Sequence, residues 1–175
     1  GGLLKKWYIS GMETRRFNQL LKSISVSEKS FDELYDFYAR RIVFRLSGIY
    51  GRDFAEDVMQ EFFFNLITGK KDYGYIKSPT SWVYKCAENI AKSKLRSKMP
   101  VEQLTDEKEY RRQYFDKPDI KEKLDVLDDV SRKIIELYYW DGYNLQEISE
   151  LLQITYSAVR KKHSRAKAKL KKFFK

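Results

Sequence analysis

The segment from Thr155 to Lys175 holds the densest cluster of residues suited to binding a polyanion. It carries arginines and lysines along its length and no acidic residue, and the whole sequence has a formal net charge of +10 at pH 7. Because phosphates attract arginine and lysine, a basic segment of this kind favours nucleic acid as the partner. A solubilising tail is the alternative interpretation of this segment taken alone.

Helix-capping residues before and within this segment predict two short helices joined by a tight turn. Asn144, with Glu147 at the third helical position, is typical of a helix start. Thr155 can cap a second helix after a turn at Gln153 and Ile154. This arrangement is the helix-turn-helix, whose second helix enters the major groove of DNA. The buried side of the first helix is predicted to consist of Ile148, Leu151 and Leu152.

The second helix separates an apolar stripe from a polar face, since successive residues are about 100° apart around a helix. The predicted stripe consists of Val159, Ala166, Leu170 and Phe173, with His163 packed among them. The residues predicted to contact DNA are Thr155, Ser157, Arg160, Lys161, Ser164 and Arg165. Arginine and lysine near the start of such a helix reach guanine edges or phosphates. The lysines from Lys167 to Lys172 would add non-specific attraction.

A second candidate surface lies on a helix predicted from Asp53 to Ile67. Its buried stripe is predicted to consist of Ala55, Val58, Met59, Phe62 and Leu66. The opposite face consists of Asp57, Gln60, Glu61 and Phe64. A phenylalanine among polar residues favours docking of a partner protein. Packing of Phe64 on a neighbouring helix is the alternative.

A third candidate surface combines a basic helix, predicted from Thr80 to Arg96, with the loop before it. One side of the helix carries Trp82, Lys85, Asn89, Lys92 and Arg96, and the other side carries Val83, Ala87, Ile90 and Ala91. The loop adds Lys70, Lys71, Tyr73 and Tyr75. Basic residues that follow a nucleic-acid backbone, together with aromatic rings on which bases stack, are typical of single-strand binding. A helix face that is merely solvated is the alternative.

The residue types argue against an enzyme and against a metal site. The sequence holds one cysteine, Cys86, and one histidine, His163, so we expect no disulfide, no metal-ligand cluster and no cofactor. The acidic pair Asp128-Asp129 suits a helix cap better than catalysis. No apolar run reaches the roughly 20 residues that a membrane-spanning helix needs. A lone cysteine suits a reducing, cytoplasmic setting.

Helical periodicity throughout the chain predicts an all-α fold of two small helical domains joined by a flexible linker. Further helices are predicted from Phe31 to Leu46, from Ile120 to Leu127, from Val130 to Trp140 and from Tyr156 to Phe174. The predicted organisation is an N-terminal extension over residues 1–25, a first domain over 26–98, a linker over 99–119 and the helix-turn-helix domain over 120–175. Within the extension, Gly1 and Gly2 are typical of a cloning remnant and Met12 is an alternative start. A surface loop within one domain is the alternative to the linker.

Four segments, in this order and at this spacing, resemble the extracytoplasmic-function (ECF) sigma factors of bacteria. They are Asp57 to Ile67 (DVMQEFFFNLI), Ser81 to Ala91 (SWVYKCAENIA) followed by Leu95-Arg96, Leu145 to Leu152 (LQEISELL), and Val159 to Leu170. The resemblance covers about residues 26–175. It implies a transcription initiation factor whose first domain is sigma region 2 and whose last domain is sigma region 4.

The resemblance also implies partners for the three surfaces. The face around Phe64 would dock on the clamp helices of the β′ subunit of core RNA polymerase. The Trp82 helix and the loop before it would capture the melted minus-ten element of the promoter. The helix-turn-helix would recognise the double-stranded minus-thirty-five element and rest on the β-subunit flap, and the linker would lead toward the RNA exit channel. Control by an anti-sigma factor or another recruiting protein stays open.

Three residues depart from the family pattern and bear on promoter recognition. Ser93 stands where the family usually has aspartate, His163 where an aliphatic residue is common, and Ser164 where a histidine or another polar residue is frequent. The rival interpretation is a helix-turn-helix regulator that acts without polymerase. It explains the C-terminal helices but neither the face around Phe64 nor the Trp82 helix.

Overall fold

The chain is α-helical in the part that the structure describes. A computed structural model describes residues 12–69, 71–97 and 118–171, which contain helices and no strand. The helices are α1 (Thr14–Ser23), α2 (Glu28–Tyr50), α3 (Arg52–Thr68), α4 (Pro79–Ser97), α5 (Pro118–Leu124), α6 (Asp129–Tyr139), α7 (Leu145–Leu152) and α8 (Tyr156–Leu170). They fall into two compact units, α1 to α4 and α5 to α8. The predicted all-α class with two helical domains is confirmed.

Most helix boundaries agree with the predicted ones to within a few residues, because capping chemistry determines where the helices start and stop. Ser27 caps α2 by accepting a 3.2 Å hydrogen bond from the backbone N–H of Ser30. Gly51 separates α2 from α3 and has a φ of +85°. A residue with a Cβ atom rarely adopts that conformation, so glycine allows the two helices to meet without strain. No described helix is long and apolar enough to span a membrane.

The core of the first unit forms where α2, α3 and α4 pack together. All five residues of the predicted α3 stripe are buried, and so are Leu34, Tyr38, Ile42 and Leu46 of α2 and Val83, Ala87 and Ala91 of α4. Ile90 of α4, which was predicted to face the core, is only half-buried. Phe63 is buried in addition, because its ring packs against those of Phe31 and Tyr35, with centroids 5.8 and 5.0 Å apart.

Helix α1 belongs to this first unit, although the sequence places it within an N-terminal extension. Phe17 and Leu20 are buried, and the Phe17 ring meets Tyr38 and Trp82 edge-on at centroid distances of 5.8 and 6.0 Å. The helix escapes prediction because it is short and mostly polar, and no side chain caps its start. The extension therefore contributes a helix to the core. Residues 1–11 lie outside the described part of the chain.

Two capped helix starts organise the second unit as predicted. Asp128 caps α6 by accepting hydrogen bonds from the backbone N–H and the hydroxyl of Ser131, at 2.9 and 2.8 Å. These bonds stabilise the carboxylate and lower the pKa of Asp128. Asn144 and Glu147 form a complete capping box at the start of α7. A core cluster behind them consists of Leu124, Leu127, Ile135, Trp140, Ala166 and Leu170.

The turn between α7 and α8 has a feature that the sequence does not reveal. Gln153 adopts a left-handed conformation with φ +54°, which residues other than glycine rarely adopt. The following N–H of Ile154 donates to the Ser149 carbonyl oxygen at 3.2 Å and closes the helix end. Leu151, predicted to be buried, is 49% exposed. The buried residues of this eight-residue helix are Glu147, Ile148 and Ser149, so its C-terminal turn lies outside the core.

His163 is buried on the inner face of α8, as its place on the apolar stripe predicts. Its ring centroid lies 4.5 Å from that of Tyr138 and 6.0 Å from that of Tyr139. The Nε2 atom has no hydrogen-bond partner among the described residues. Burial disfavours the charged imidazolium, and the positive charge of Lys167 adds to this effect. Together they lower the pKa of His163 to about 4.

We therefore predict that the His163 imidazole titrates with a pKa of about 4 rather than its ordinary 6.5. Since the unfolded chain then binds the proton more readily, the unit containing α8 loses stability as the pH falls from 6.5 towards 4, by about 3 kcal/mol in total. His163→Leu should remove this contribution to the pH dependence of unfolding. Proton NMR titration measures the pKa without ambiguity, because the chain has a single histidine. A titration midpoint near 6.5 would contradict the prediction.

Candidate nucleic-acid and partner interfaces

The candidate surface on α3 exposes an aromatic ring among polar side chains. Asp57, Gln60 and Phe64 are exposed and Glu61 is partly exposed, and we call these four residues the α3 face. Phe64 is 63% exposed, so the alternative in which it packs on a neighbouring helix is wrong for the described structure. Ile67, one turn further along, is also partly exposed and widens the apolar part of the surface.

The exposure of Phe64 follows from the way three consecutive phenylalanines are divided around α3. Phe62 and Phe63 are both buried. Phe62 approaches Trp82 at a centroid distance of 6.3 Å, and Phe63 packs against residues of α2. Because successive residues turn by about 100° around a helix, the third ring must point away from both of these contacts. The first two rings thus fill the core, and the third lies in solvent.

An ion pair joins the α3 face to α4, and the sequence gives no signal for it. Lys94 Nζ lies 2.7 Å from Glu61 Oε2, and both side chains are partly exposed. Such a pair contributes at most about 1 kcal/mol to stability, because water screens it. Its larger effect is on orientation, since it holds the Glu61 carboxylate at the edge of the α3 face. The pairing of two residues on different helices depends on the tertiary structure, so it cannot be inferred from their spacing in the sequence.

The basic side of α4 is open to solvent except at its first residue. Lys85, Asn89, Lys92 and Arg96 are all exposed on one side of the helix. Trp82 is half-buried, because its indole lies edge-on to Phe17, Phe62 and Tyr73 at centroid distances of 6.0, 6.3 and 5.1 Å. These contacts make Trp82 a support for the surface beside it. Its contact with an unpaired base stays a prediction.

The loop before α4 presents one of its two predicted tyrosines to solvent. Tyr73 is half-buried against Trp82, whereas Tyr75 is 63% exposed. Between them, Gly74 has a φ of +64° and donates its N–H to Asp72 Oδ1 at 2.9 Å. This turn directs the two rings differently. Lys71 is exposed, and Lys70 lies outside the described residues.

The candidate surface of the helix-turn-helix is the solvent face of α8. Ser157, Arg160, Lys161, Ser164 and Arg165 are exposed there. Thr155 has a structural task as well, because its Oγ1 accepts a 3.2 Å hydrogen bond from the N–H of Ala158 and caps the helix. Tyr156 is partly exposed, and the Arg160 guanidinium lies 5.8 Å from the centroid of its ring. Lys172, Phe173 and Lys175 fall outside the described residues.

Comparison with protein-family models assigns each of the two units to a known domain family. The model for Sigma-70 region 2 matches residues 34–100, and the model for Sigma-70, region 4 matches residues 124–172. The chain carries regions 2 and 4 of the sigma-70 family. Such domains belong to DNA-binding transcription initiation factors rather than to enzymes, and they imply RNA polymerase and promoter DNA as partners. The α3 face and the α4 surface lie within region 2, and α8 lies within region 4.

Comparison with individual proteins adds one structural likeness. The chain is similar to a solved chain in the structure of CnrH in complex with the cytosolic domain of CnrY, with 21% sequence identity and a TM-score of 0.39. The alignment covers 90% of this chain and 96% of that chain. No curated protein matches the chain significantly. The family assignment therefore depends on the matches to regions 2 and 4.

Two residues that the sequence did not point to hold parts of these surfaces in place. Lys94 orients Glu61, and Asn18 of α1 bonds to the backbone of the loop before α4. Asparagine is a poor helix former, so an asparagine within a helix is a weak signal of a specific bonding role. The signal is lost when the segment is interpreted as an extension.

Proposed function

We propose that the chain is a sigma factor of the ECF type that binds core RNA polymerase, recognises promoter elements and promotes DNA melting. The observation that carries this proposal is the 63% exposure of Phe64 in a unit that matches region 2. Phe64 lies beside the exposed Ile67 and among polar side chains, and an apolar patch with a polar rim favours docking of a partner protein. The ECF type is favoured by the four sequence segments whose order and spacing resemble that family.

The proposed domain roles follow the units of the structure. Region 2 spans residues 26–98 together with α1 and binds polymerase and the minus-ten element. Residues 99–119 form the linker, most of which lies outside the described residues, and residues 120–175 form region 4. The β′ clamp helices are the proposed partner of the α3 face, and the β flap is that of region 4. Since the polymerase acts in the cytoplasm of bacteria, the factor would act there too.

The proposed role of the α4 surface is to hold the melted minus-ten strand. Its exposed Lys85, Lys92 and Arg96 would follow the phosphates, and Asn89 among them can donate to and accept from a base or sugar. Tyr75 supplies an open ring on which an unpaired base can stack, a contact worth about 1–3 kcal/mol. Trp82 supports Tyr73 and the loop from behind.

The proposed role of α8 is to recognise the minus-thirty-five duplex. Arg160 and Lys161 lie in its first two turns and are exposed, which suits base edges or phosphates in the major groove. A helix-turn-helix regulator without polymerase would use α8 in the same way. It would leave the α3 face and the basic side of α4 without a function, and co-purification with core polymerase distinguishes the two.

The polymerase contact is tested by Phe64→Ala, which we predict weakens binding to core polymerase by about 2 kcal/mol or more, as expected for an aromatic anchor. Tyr75→Ala is a matched control, because its ring is equally exposed on the same unit but lies on the proposed DNA surface. It should leave core binding unchanged. Competition binding to purified core polymerase measures both variants, with circular dichroism to verify the helices. Wild-type affinity in Phe64→Ala with intact helices would contradict the α3 face assignment.

The melting role is tested by Asn89→Ala in reconstituted holoenzyme. We predict normal core binding but weaker promoter opening, by about 1 kcal/mol for each lost hydrogen bond. Permanganate reactivity of thymines around the start site reports the open state, on a promoter found by transcribing a genomic library. Gln19→Ala, which removes an exposed amide from α1, is the control and should melt normally. Equal reactivity in Asn89→Ala and wild type would rule out this role for Asn89.

Recognition of the minus-thirty-five element is tested by Arg160→Ala. We predict that holoenzyme binding to the promoter falls by about 1–3 kcal/mol, while binding to DNA with a scrambled minus-thirty-five element changes little. Lys171→Ala, at the far end of the helix, should weaken both equally, because its contribution is only electrostatic attraction. Fluorescence anisotropy with both duplexes measures the difference. An equal loss on both duplexes in Arg160→Ala would make Arg160 a phosphate contact.

A further inference from the structure

A buried asparagine of α1 bonds to the loop that carries Tyr73 and Tyr75. Asn18 Oδ1 accepts a 2.7 Å hydrogen bond from the N–H of Ile76, and its Nδ2 donates to the Ile76 carbonyl oxygen at 2.9 Å. The same Nδ2 donates to the Thr14 carbonyl oxygen at 2.8 Å. The side-chain amide thus pairs with both backbone groups of one residue, 58 positions away in sequence. We call this arrangement the Asn18 clamp.

The orientation of the amide in the clamp is determined by its partners. A backbone N–H can only donate and a carbonyl can only accept, so Oδ1 must face the Ile76 nitrogen and Nδ2 the Ile76 oxygen. Asn18 and Ile76 are both buried, with 5% and 9% of their surfaces exposed. Water therefore has little access to replace these bonds. Buried backbone groups without a partner are strongly disfavoured.

The clamp determines which side chains of the loop face solvent. Because the clamp holds the backbone of Ile76 with its side chain buried, it also holds the adjacent Tyr75 in its mostly exposed position. Tyr73 is anchored separately by its edge-on contact with Trp82. The loop is therefore held on both sides of Gly74, at Tyr73 and at Ile76.

Asn18 also lies at the base of an open cleft between α1 and this loop. The cleft has a volume of about 520 Å³. Its α1 side includes Leu21 and Lys22, and its loop side includes Asp72 and Tyr73. Releasing the clamp would change the shape of this cleft and the direction of Tyr75 together. Asparagine is a poor helix former, so its presence inside α1 is explained by the loop rather than by the helix.

We propose that Asn18 is a positioning residue for minus-ten recognition, which it supports by holding the loop before α4 in its strand-binding shape. This inference rests on the proposed function of the chain as a sigma factor. It gives α1 a part in promoter selectivity that neither family model assigns, because the region 2 match begins at residue 34. Asn18 itself need not touch DNA.

The test uses holoenzyme reconstituted from the full chain and core polymerase. Asn18→Leu replaces the amide by an apolar side chain of similar size and removes all three hydrogen bonds. Wild type and variant transcribe two promoter libraries, one randomised at the minus-ten element and one at the minus-thirty-five element, and the transcripts are sequenced. We expect the preference between best and worst bases in the minus-ten library to fall about ten-fold, equivalent to about 1.4 kcal/mol. The minus-thirty-five preference should not change.

The base preference distinguishes a loss of loop positioning from a general loss of protein stability. It is a ratio within one library, so a smaller amount of folded protein does not alter it. Leu20→Ala is the matched control, because Leu20 is equally buried on α1 but does not line the cleft. It should lower the amount of active protein and leave both preferences intact. An unchanged minus-ten preference in Asn18→Leu holoenzyme would overturn the proposal.

Hydrogen exchange on the wild-type chain provides a second test, which can overturn the proposal even if Asn18→Leu does not fold. The Ile76 amide should exchange at least ten-fold more slowly than an unprotected amide, because its hydrogen is bonded and buried. Exchange at the unprotected rate would show that the clamp does not form and would overturn the proposal. Failure of the wild-type chain to support transcription would instead refute the proposed function. The exchange rate of Ile76 would still report on the clamp.

Discussion

The packing of aromatic rings around Trp82 is the interaction on which the rest of region 2 depends. One indole contacts Phe17 of α1, Phe62 of α3 and Tyr73 of the loop. Such edge-on contacts are each worth about 0.5–1.5 kcal/mol beyond the apolar area that they bury. Because Phe62 points inward to this cluster, Phe64 two residues later points to solvent. The core contact and the proposed polymerase contact are therefore consequences of the same helix orientation.

The distribution of charge sets a second constraint, since region 2 presents an acidic surface and a basic surface on neighbouring helices. Acidic residues lie on the α3 face, and basic residues line the neighbouring α4. The Glu61–Lys94 pair lies where the two helices meet. The proposed binding of polymerase through one surface and of DNA through the other would require that neither helix rotate relative to its neighbour. The buried apolar stripes of α3 and α4 provide that restraint, whereas the exposed ion pair is too well screened to do so alone.

The sequence alone could predict those features that depend on local pattern. The buried stripe of α3, the caps at Asp128 and Asn144, and the basic side of α4 all follow from helical period or capping chemistry. Features that depend on tertiary contacts could not be predicted in this way. Trp82 lies on the polar side of α4 by sequence, yet rings from two other helices cover it. Leu151 has the right spacing for burial, but the buried residues of α7 end at Ser149 and its last turn lies outside the core.

The shape of the loop before α4 depends on both local and tertiary contacts. Its turn at Gly74 is local, since Asp72 bonds to the Gly74 N–H, but its two anchors come from α4 and α1. A loop held by these two anchors and its own turn loses less conformational freedom when it binds a ligand than a free loop does. A base stacked on Tyr75 would therefore keep more of its stacking energy as net binding energy. Since promoter opening depends on holding bases that have left the duplex, a rigid loop in the proposed role would favour the open state directly.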